Sequence, residues 1–328
     1  MSFRGPHLLG LAGLEAEEIG NLLDRADSFW DAAGTPGWRA TQSPATARLS
    51  AVNLILEPST RTRCSFEIAE QRLGIEHLSV GDERLSLIKG ETLADTGRTL
   101  RAMGVNVFVV RHPEVGAPAR LSEELPGAHV VNAGDGTGEH PTQGLLDLLV
   151  MRRRWGSLAG RRIVIVGDVL HSRVARSCVH GLAALGATTV LCGPRHLLPE
   201  AGGWPGSSVA EDLDDALAAA DAVMALRIQR ERFSAGEALP DRAAYRQRFG
   251  LTLERARRLP KETLILHPGP FNRDVEIDGE VIDGGRTEVW TQVRAGVAVR
   301  MATLTALGEV PEPSGFEAGA PAGAGARA

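Results

Sequence analysis

The sequence is poor in the features that would commit it to several large functional classes. Aromatic residues make up 4% of its 328 positions, with a single Tyr, so it has little with which to stack nucleobases. Lys and Arg total 36 against 41 Asp and Glu, a net charge of −5, so no basic field points to nucleic acid or to an anionic membrane. Cysteine occurs three times, at Cys64, Cys178 and Cys192, widely spaced and without a Cys-x-x-Cys pair. That argues against a disulfide framework and against zinc-ligand spacing, and makes a reducing cytoplasm the expected home. No apolar run approaches the about 18 residues of a membrane span. The stretch Leu8 to Leu14 is broken by glycines and followed at once by Glu15, Glu17 and Glu18, unlike a signal sequence.

What is present is an ordinary globular balance, 43% apolar and 23% charged, at a length that suggests two domains. Residues 14–31 carry Leu14, Ile19, Leu22, Leu23, Ala26 and Trp30 at helical spacing. Strand-like runs then alternate with helical ones. Residues 51–56, 75–80, 105–110 and 128–132 read as strands, with helices over 64–73, 92–103 and 117–124 between them. A long helix over 140–154 bridges to a second series. Its strands lie at 162–166, 188–192, near Val209, at 221–226 and at 263–266, with helices over 173–185 and 212–220. Residues 229–258 read as loop plus helix, and 287–307 as a final helix. The tail 308–328, rich in Gly, Ala and Pro, reads as disordered. Alternation at this spacing predicts an α/β protein of two doubly wound domains, each a parallel sheet flanked by helices, with the active site in the cleft between them. The expected division is 1–139, 140–286 and a C-terminal helix over 287–307 packing back on the first domain.

The most informative stretch is Glu57-Pro58-Ser59-Thr60-Arg61-Thr62-Arg63, directly after the first buried strand. Ser59 is a good N-cap for the helix that follows. The first turn of a helix offers unpaired amides and partial positive charge, and here two hydroxyls and two guanidiniums join them, with no acid before Glu67. Such a corner suits a doubly charged anion, phosphate above all. Polar clusters also fall where the other strands end: Arg111-His112-Pro113, residues 133–138, Gly167-Asp168, Arg227 and His267-Pro268-Gly269-Pro270. In open α/β sheets that is where ligands sit.

Taken in order, Ser59-Thr60-Arg61-Thr62-Arg63, Lys89-Gly90-Glu91-Thr92, Arg111-His112-Pro113, His140-Pro141-Thr142-Gln143, Arg227 to Arg232 and His267-Pro268-Gly269-Pro270 resemble the catalytic chains of the aspartate carbamoyltransferases, over residues 1 to about 307. The resemblance implies transfer of the carbamoyl group of carbamoyl phosphate to the amine of L-aspartate, in pyrimidine biosynthesis, with no metal or organic cofactor. It implies that Ser59, Thr60, Arg61 and Thr62 hold the phosphate, and that Arg61 also stabilises it as it leaves. Thr62, Arg111 and His140 surround the carbamoyl oxygen, while Gln143 and the backbone carbonyl of Pro268, beside Gly269, orient the carbamoyl amine. Arg173 and Arg227, with Gln229 in support, hold the carboxylates of aspartate. Lys89 and a loop serine reach the site of a neighbouring subunit in a homotrimer; Leu85 and Ser86 both fall near that serine's spacing, and Ser86 is the choice. Glu57 pairs with Arg173 and Arg232 when the cleft closes. Gly269 departs from family members that have Leu there. Dihydroorotase-type or regulatory chains are possible further partners.

The sister ornithine carbamoyltransferases share the phosphate corner. They are expected to carry a Cys where this chain has Pro268, and an acid-containing motif for the ornithine amine. A guanidinium suits the carboxylate of aspartate and repels the ammonium of ornithine. A third possibility, a dinucleotide-binding oxidoreductase, rests on Ile163 to Asp168. Gly167 alone is not G-x-G-x-x-G, and the next strand ends at Cys192-Gly193 with no acid for a ribose.

Overall fold

The computed structural model describes residues 5–41, 43–81, 90–229, 232 and 241–311. In chain order the elements are α1 (Ala16–Ser28), α2 (Trp30–Gly34), α3 (Pro44–Ala47), β1 (Ser50–Ile55), α4 (Thr60–Leu73), β2 (Glu76–Gly81), α5 (Leu93–Ala102), β3 (Val107–His112), α6 (Ala117–Glu124), β4 (His129–Asp135) and α7 (Pro141–Trp155). The second series is β5 (Arg162–Val166), α8 (Arg173–Ala184), β6 (Thr188–Cys192), β7 (Ser207–Ala210), α9 (Leu213–Leu217), β8 (Ala222–Ala225), α10 (Arg242–Phe249), α11 (Leu253–Arg258), β9 (Leu264–Leu266), α12 (Gly279–Asp283) and α13 (Val289–Glu309).

Among the described residues the strands form two sheets, in the orders β2-β1-β3-β4 and β7-β6-β5-β8-β9. Every ladder is parallel. Parallel sheets are covered on both faces, and that is why β1, β3, β5 and β8 are mostly apolar, with Asn53 the polar interruption inside β1. In each sheet the chain winds outward one way from its first strand, then returns to that strand's other side. The two reversals fall between β1 and β3 and between β5 and β8. A crevice opens at such a switch point, beyond the carboxyl ends of the strands.

Helix α13 packs against α1, α4 and α7 and touches β9, so the chain's last helix ties the two series together. Its residues are buried almost all round, as a helix enclosed by others must be. Phe66 of α4 and Phe108 of β3 are fully buried, each worth about 1.5–3 kcal/mol of transfer from water. No helix among the described residues is long and apolar enough to cross a membrane.

The boundaries differ from the sequence reading at informative places. Helix α4 begins at Thr60 rather than Cys64, because Ser59 caps it by accepting from the Thr62 amide; Thr60, Arg61 and Thr62 are therefore its first turn. The single helix expected over 14–31 breaks at Phe29, which leaves helical geometry and packs edge-on against Trp38. The helix expected over 212–220 contracts to α9, capped by Asp212. Helix α12 was not expected at all.

Candidate active site

A cavity of about 710 Å3 lies where the two switch points face each other. Four helices of twelve residues or more, α4, α7, α8 and α13, start at its wall with no acid in their first turns, although the N-cap residue of α13 is Glu288. Each start contributes roughly half a positive charge. Arginines 61, 111, 173, 227, 232 and 300 also line it, against one carboxylate among the described residues, that of Glu57. The cavity is built for anions.

The first-sheet wall is the corner after β1. The Ser59 hydroxyl donates to Thr62 Oγ1 at 2.9 Å, so the cap and the first-turn threonine are held as one unit. Arg61 extends from that turn, whereas Arg63 leaves the corner and lies against Gly81. Protein crowding around Arg61 lowers the pKa of its guanidinium, and the charge of Arg227 lowers it further. Arg61 belongs to the first series and Arg227 to the end of β8, so the repulsion acts across the cleft and an anion placed between them relieves it. Gly269, in the loop after β9, completes this contact. Its φ is +60°, and a Cβ there would meet Arg61 Cζ at 2.9 Å. A side chain such as Leu would have to displace the guanidinium.

Arg111, at the end of β3, is buried and anchored by three acceptors. Its Nε donates to the Glu57 carbonyl at 3.2 Å, Nη1 to the Ala133 carbonyl at 3.4 Å and Nη2 to Glu57 Oε1 at 3.2 Å. Burial, and then the charge of Arg173, push its pKa down to about 9, with Glu57 opposing. Arg173 grips Glu57 with both terminal nitrogens, at 2.7 and 3.0 Å. Arg232 reaches the same carboxylate at 3.4 Å and donates to the His171 carbonyl at 2.6 Å. Burial alone would raise the Glu57 carboxyl; the Arg173 hydrogen bond and the charges of Arg111, Arg173 and Arg232 outweigh it and hold the group below the usual carboxylate range. Gly134 lets the guanidiniums pass: its φ is +116°, and a Cβ would sit 2.8 Å from Arg173 Nε.

His140 is the N-cap residue of α7, 4% exposed. Burial, then the charges of Arg111, Arg300, Arg173 and Arg232, hold its pKa well below the ordinary value. The ring is therefore neutral at pH 7, with one N–H to donate and no proton to act as a cation. Gln143, one turn on, donates its amide to Asp147 at 3.1 Å, which leaves its carbonyl oxygen as an acceptor. In the second series, Gln229 donates its amide to the His171 carbonyl at 3.1 Å, and its backbone N–H to Asp168 at 3.0 Å. Its side-chain oxygen is likewise left to accept. Pro268 and Gly269 lie in the wall between two fixed points: the His267 amide donates to Gln292 Oε1 at 3.0 Å and the Gly269 amide to His267 Nδ1 at 2.8 Å.

The structure thus brings Glu57, Ser59, Thr60, Arg61, Thr62, Arg111, His140, Gln143, Arg173, Arg227, Gln229, Arg232, Pro268 and Gly269 to one cavity. Ser86 and Lys89 lie outside the described residues. Sequence reading missed Arg300, a buried guanidinium on the cavity wall 4.9 Å from the Phe66 ring, together with Asp147 and Gln292. A signal existed: Arg300 and Asp147 are charges set inside apolar helical runs, where a charge is rarely tolerated without a reason.

The two halves match two family profiles. Residues 6–153 match the carbamoyl-phosphate-binding domain of the aspartate/ornithine carbamoyltransferases, and residues 159–307 match their aspartate/ornithine-binding domain. The chain belongs to the aspartate/ornithine carbamoyltransferase family. An aspartate carbamoyltransferase catalytic subunit from Gemmatimonas aurantiaca is 50% identical over 310 residues, covering 94% of this chain and 95% of the relative. The aspartate transcarbamoylase of Trypanosoma cruzi, solved with carbamoyl aspartate and phosphate, superposes with a TM-score of 0.76 at 27% identity, over 93% of this chain and 96% of that one. The ornithine carbamoyltransferase of Pyrococcus furiosus superposes with a TM-score of 0.79 at 25% identity, over 97% and 100%. Family membership and backbone shape therefore do not separate the two amine acceptors.

Proposed function

We propose that this chain is an aspartate carbamoyltransferase, transferring the carbamoyl group of carbamoyl phosphate to the amine of L-aspartate to give N-carbamoyl-L-aspartate and phosphate, a step of pyrimidine biosynthesis. The observation that carries the choice of aspartate is electrostatic. The single carboxylate in the cavity wall among the described residues, Glu57, is already occupied by three arginines, and the β8 end offers Arg227. A second ammonium, as in ornithine, finds no acid there, whereas a dicarboxylate does find guanidiniums.

The residues divide the work. Residues 1–139 bind carbamoyl phosphate, residues 140–286 bind aspartate, and the helix within 287–307 packs back on the first unit. Ser59, Thr60, Arg61 and Thr62 take the phosphate at the start of α4. Thr62, Arg111 and neutral His140 donate to the carbamoyl oxygen, which gains negative charge as the amine attacks and the carbon becomes tetrahedral. The Gln143 oxygen and the Pro268 carbonyl accept from the carbamoyl amine. Arg227 takes one carboxylate of aspartate, and Arg173 the other, through the N–H groups its pairing with Glu57 leaves over. Gln229, expected from sequence to support the carboxylates, already donates its amide to His171, so its remaining oxygen suits the attacking amine instead. The carbon–oxygen bond to phosphate then breaks, Arg61 steadies the leaving dianion, and phosphate itself can take the amine proton. Catalysis is placement and electrostatics. Ser86 and Lys89 complete the site from the neighbouring subunit of a homotrimer in the cytoplasm, which further chains of the dihydroorotase type or regulatory type can join.

The test is steady-state phosphate release by the purified full-length chain supplied with carbamoyl phosphate. Saturable release dependent on L-aspartate, with N-carbamoyl-L-aspartate formed in equal amount, is expected. Release that ignores aspartate would overturn the assignment.

A further inference from the structure

Asp147 sits in the middle of α7, one turn beyond Gln143, with no exposed surface. Three different helices donate to it. Gln143 Nε2 lies 3.1 Å from Oδ1 and 3.4 Å from Oδ2. Gln292 Nε2 of α13 lies 2.7 Å from Oδ1, and Cys178 Sγ of α8 lies 3.3 Å from Oδ2. Burial raises the thiol pKa of Cys178 well above its usual value, so this partner also stays protonated and donates. Every partner gives a proton and the carboxyl only accepts, which is the bonding of the ionised form, the one that predominates above about pH 7. Burial pushes its pKa up to about 7, opposed by the hydrogen bonds from Gln292, Cys178 and Gln143.

An amide has one donating end and one accepting end, so fixing the first fixes the second. Asp147 holds the NH2 of Gln143 and thereby leaves the Gln143 oxygen for the cavity. It also holds the NH2 of Gln292, whose oxygen accepts from the His267 amide at 3.0 Å. From His267 the alignment passes on, since His267 Nδ1 accepts from the Gly269 amide at 2.8 Å. Pro268 is thus fixed on both sides. Its carbonyl and the Gln143 oxygen are the two acceptors assigned above to the carbamoyl amine.

We propose that Asp147 is a positioning residue that aims both acceptors of the carbamoyl amine, and so sets the preference for an acyl phosphate bearing NH2 over one bearing methyl. This rests on the carbamoyl phosphate assignment of the cavity. With Asn at 147, the two glutamines can bond in either sense, and the carbamoyl amine loses its fixed acceptors. Two hydrogen bonds of ordinary net strength correspond to about tenfold in affinity.

The experiment compares dissociation constants of carbamoyl phosphate, acetyl phosphate and inorganic phosphate for the wild-type chain, Asp147→Asn, Gln292→Met and Cys178→Ala. The wild type is expected to prefer carbamoyl over acetyl phosphate. Asp147→Asn lowers that ratio about tenfold and leaves inorganic phosphate affinity in place; Gln292→Met, which cuts only the branch to Pro268, lowers it less. Cys178→Ala, whose branch leads to neither acceptor, leaves the ratio as in the wild type. An unchanged ratio in both Asp147→Asn and Gln292→Met overturns the proposal, as does a parallel loss for all three ligands, which is the mark of general loosening. If Asp147→Asn does not fold, Gln292→Met decides alone. A wild type that carbamoylates aspartate but shows no preference for the amine-bearing donor sinks this inference and leaves the function standing. A wild type that does not bind carbamoyl phosphate sinks both.

Discussion

Arg61 is the residue on which the phosphate assignment turns. It stands in the first turn of α4, flanked there by the hydroxyls of Thr60 and Thr62, and the charge of Arg227 opposes it. Removing one such donor from a transition state typically costs about 3 kcal/mol. Arg61→Ala is therefore expected to lose at least about a hundredfold in turnover. Its circular dichroism and thermal midpoint should stay close to wild type, because Arg61 lines the open cavity and belongs to no apolar core. Near-normal turnover in the folded variant would mean the phosphate sits elsewhere. At this scale the sequence was legible where the chemistry is contiguous. Ser59 to Thr62 form the cap and first turn of one helix, so their shared corner can be read from four adjacent letters. Asp147 and Arg300 stand out in sequence as charges inside apolar helices, but that Gln292 of α13 bonds Asp147 of α7 follows only from how those helices meet, which no local pattern announces. The double grip of Arg173 on Glu57 was expected as a closure contact, but not that it would occupy both terminal nitrogens.

Elements carry their own stresses, and α4 holds one beneath the phosphate corner. Glu70 is fully buried on its inner face. Oε2 accepts from Asn53 Nδ2 of β1 at 2.8 Å, while Glu70 Oε1 and Asn53 Oδ1 have no hydrogen-bond partner. Burial pushes the Glu70 carboxyl up to about 7; the Asn53 bond opposes this and the charge of Glu67 adds to it. The folded state thus binds this proton more tightly than the unfolded chain, whose glutamates titrate near about 4.3. Stability must fall as pH rises from about 4 towards about 7 and then level off. Glu70→Gln removes the titration and offers an N–H to the idle Asn53 oxygen. It is expected to raise stability at pH 8 by about 1–3 kcal/mol, with turnover unchanged. Denaturant unfolding at pH 5 and pH 8 checks this, and a variant less stable than wild type at pH 8 would contradict it. Part of the wild-type slope will remain, because Asp147 is raised in the same way. The strands themselves were legible because buried parallel strands are apolar runs. Helix α12 was not: it spans five residues, begins with Gly and carries two acids, so nothing in its letters separates it from a loop.

At the scale of the whole molecule, the two sheets meet at their switch points and Glu57 links them. It leaves the end of β1, binds Arg111 of its own sheet, and reaches Arg173 and Arg232 of the second series. Since its pKa lies below the usual carboxylate range, this link is complete above that range and is lost only as pH falls beneath it. Glu57→Gln keeps the backbone acceptor for Arg111 but removes the charge that gathers the second-series arginines. Half-saturation by aspartate is expected to rise about tenfold, the worth of a charged hydrogen bond, while carbamoyl phosphate affinity stays nearly unchanged. Equal aspartate kinetics would remove the closure role. The alternation of strands and helices foretold two parallel sheets and a cleft. It did not foretell how one acid and three arginines would meet across it, because Glu57 lies 54, 116 and 175 positions from Arg111, Arg173 and Arg232.

The most direct test of the central claim is a competition. Labelled carbamoyl phosphate is given to the full-length chain with L-aspartate and L-ornithine present together at equal concentration, and the carbamoylated products are separated and counted. The cationic second-sheet wall predicts label in N-carbamoyl-L-aspartate and none above background in citrulline. Label in citrulline would contradict the assignment of Arg173 and Arg227 to the two carboxylates, whatever the phosphate corner does.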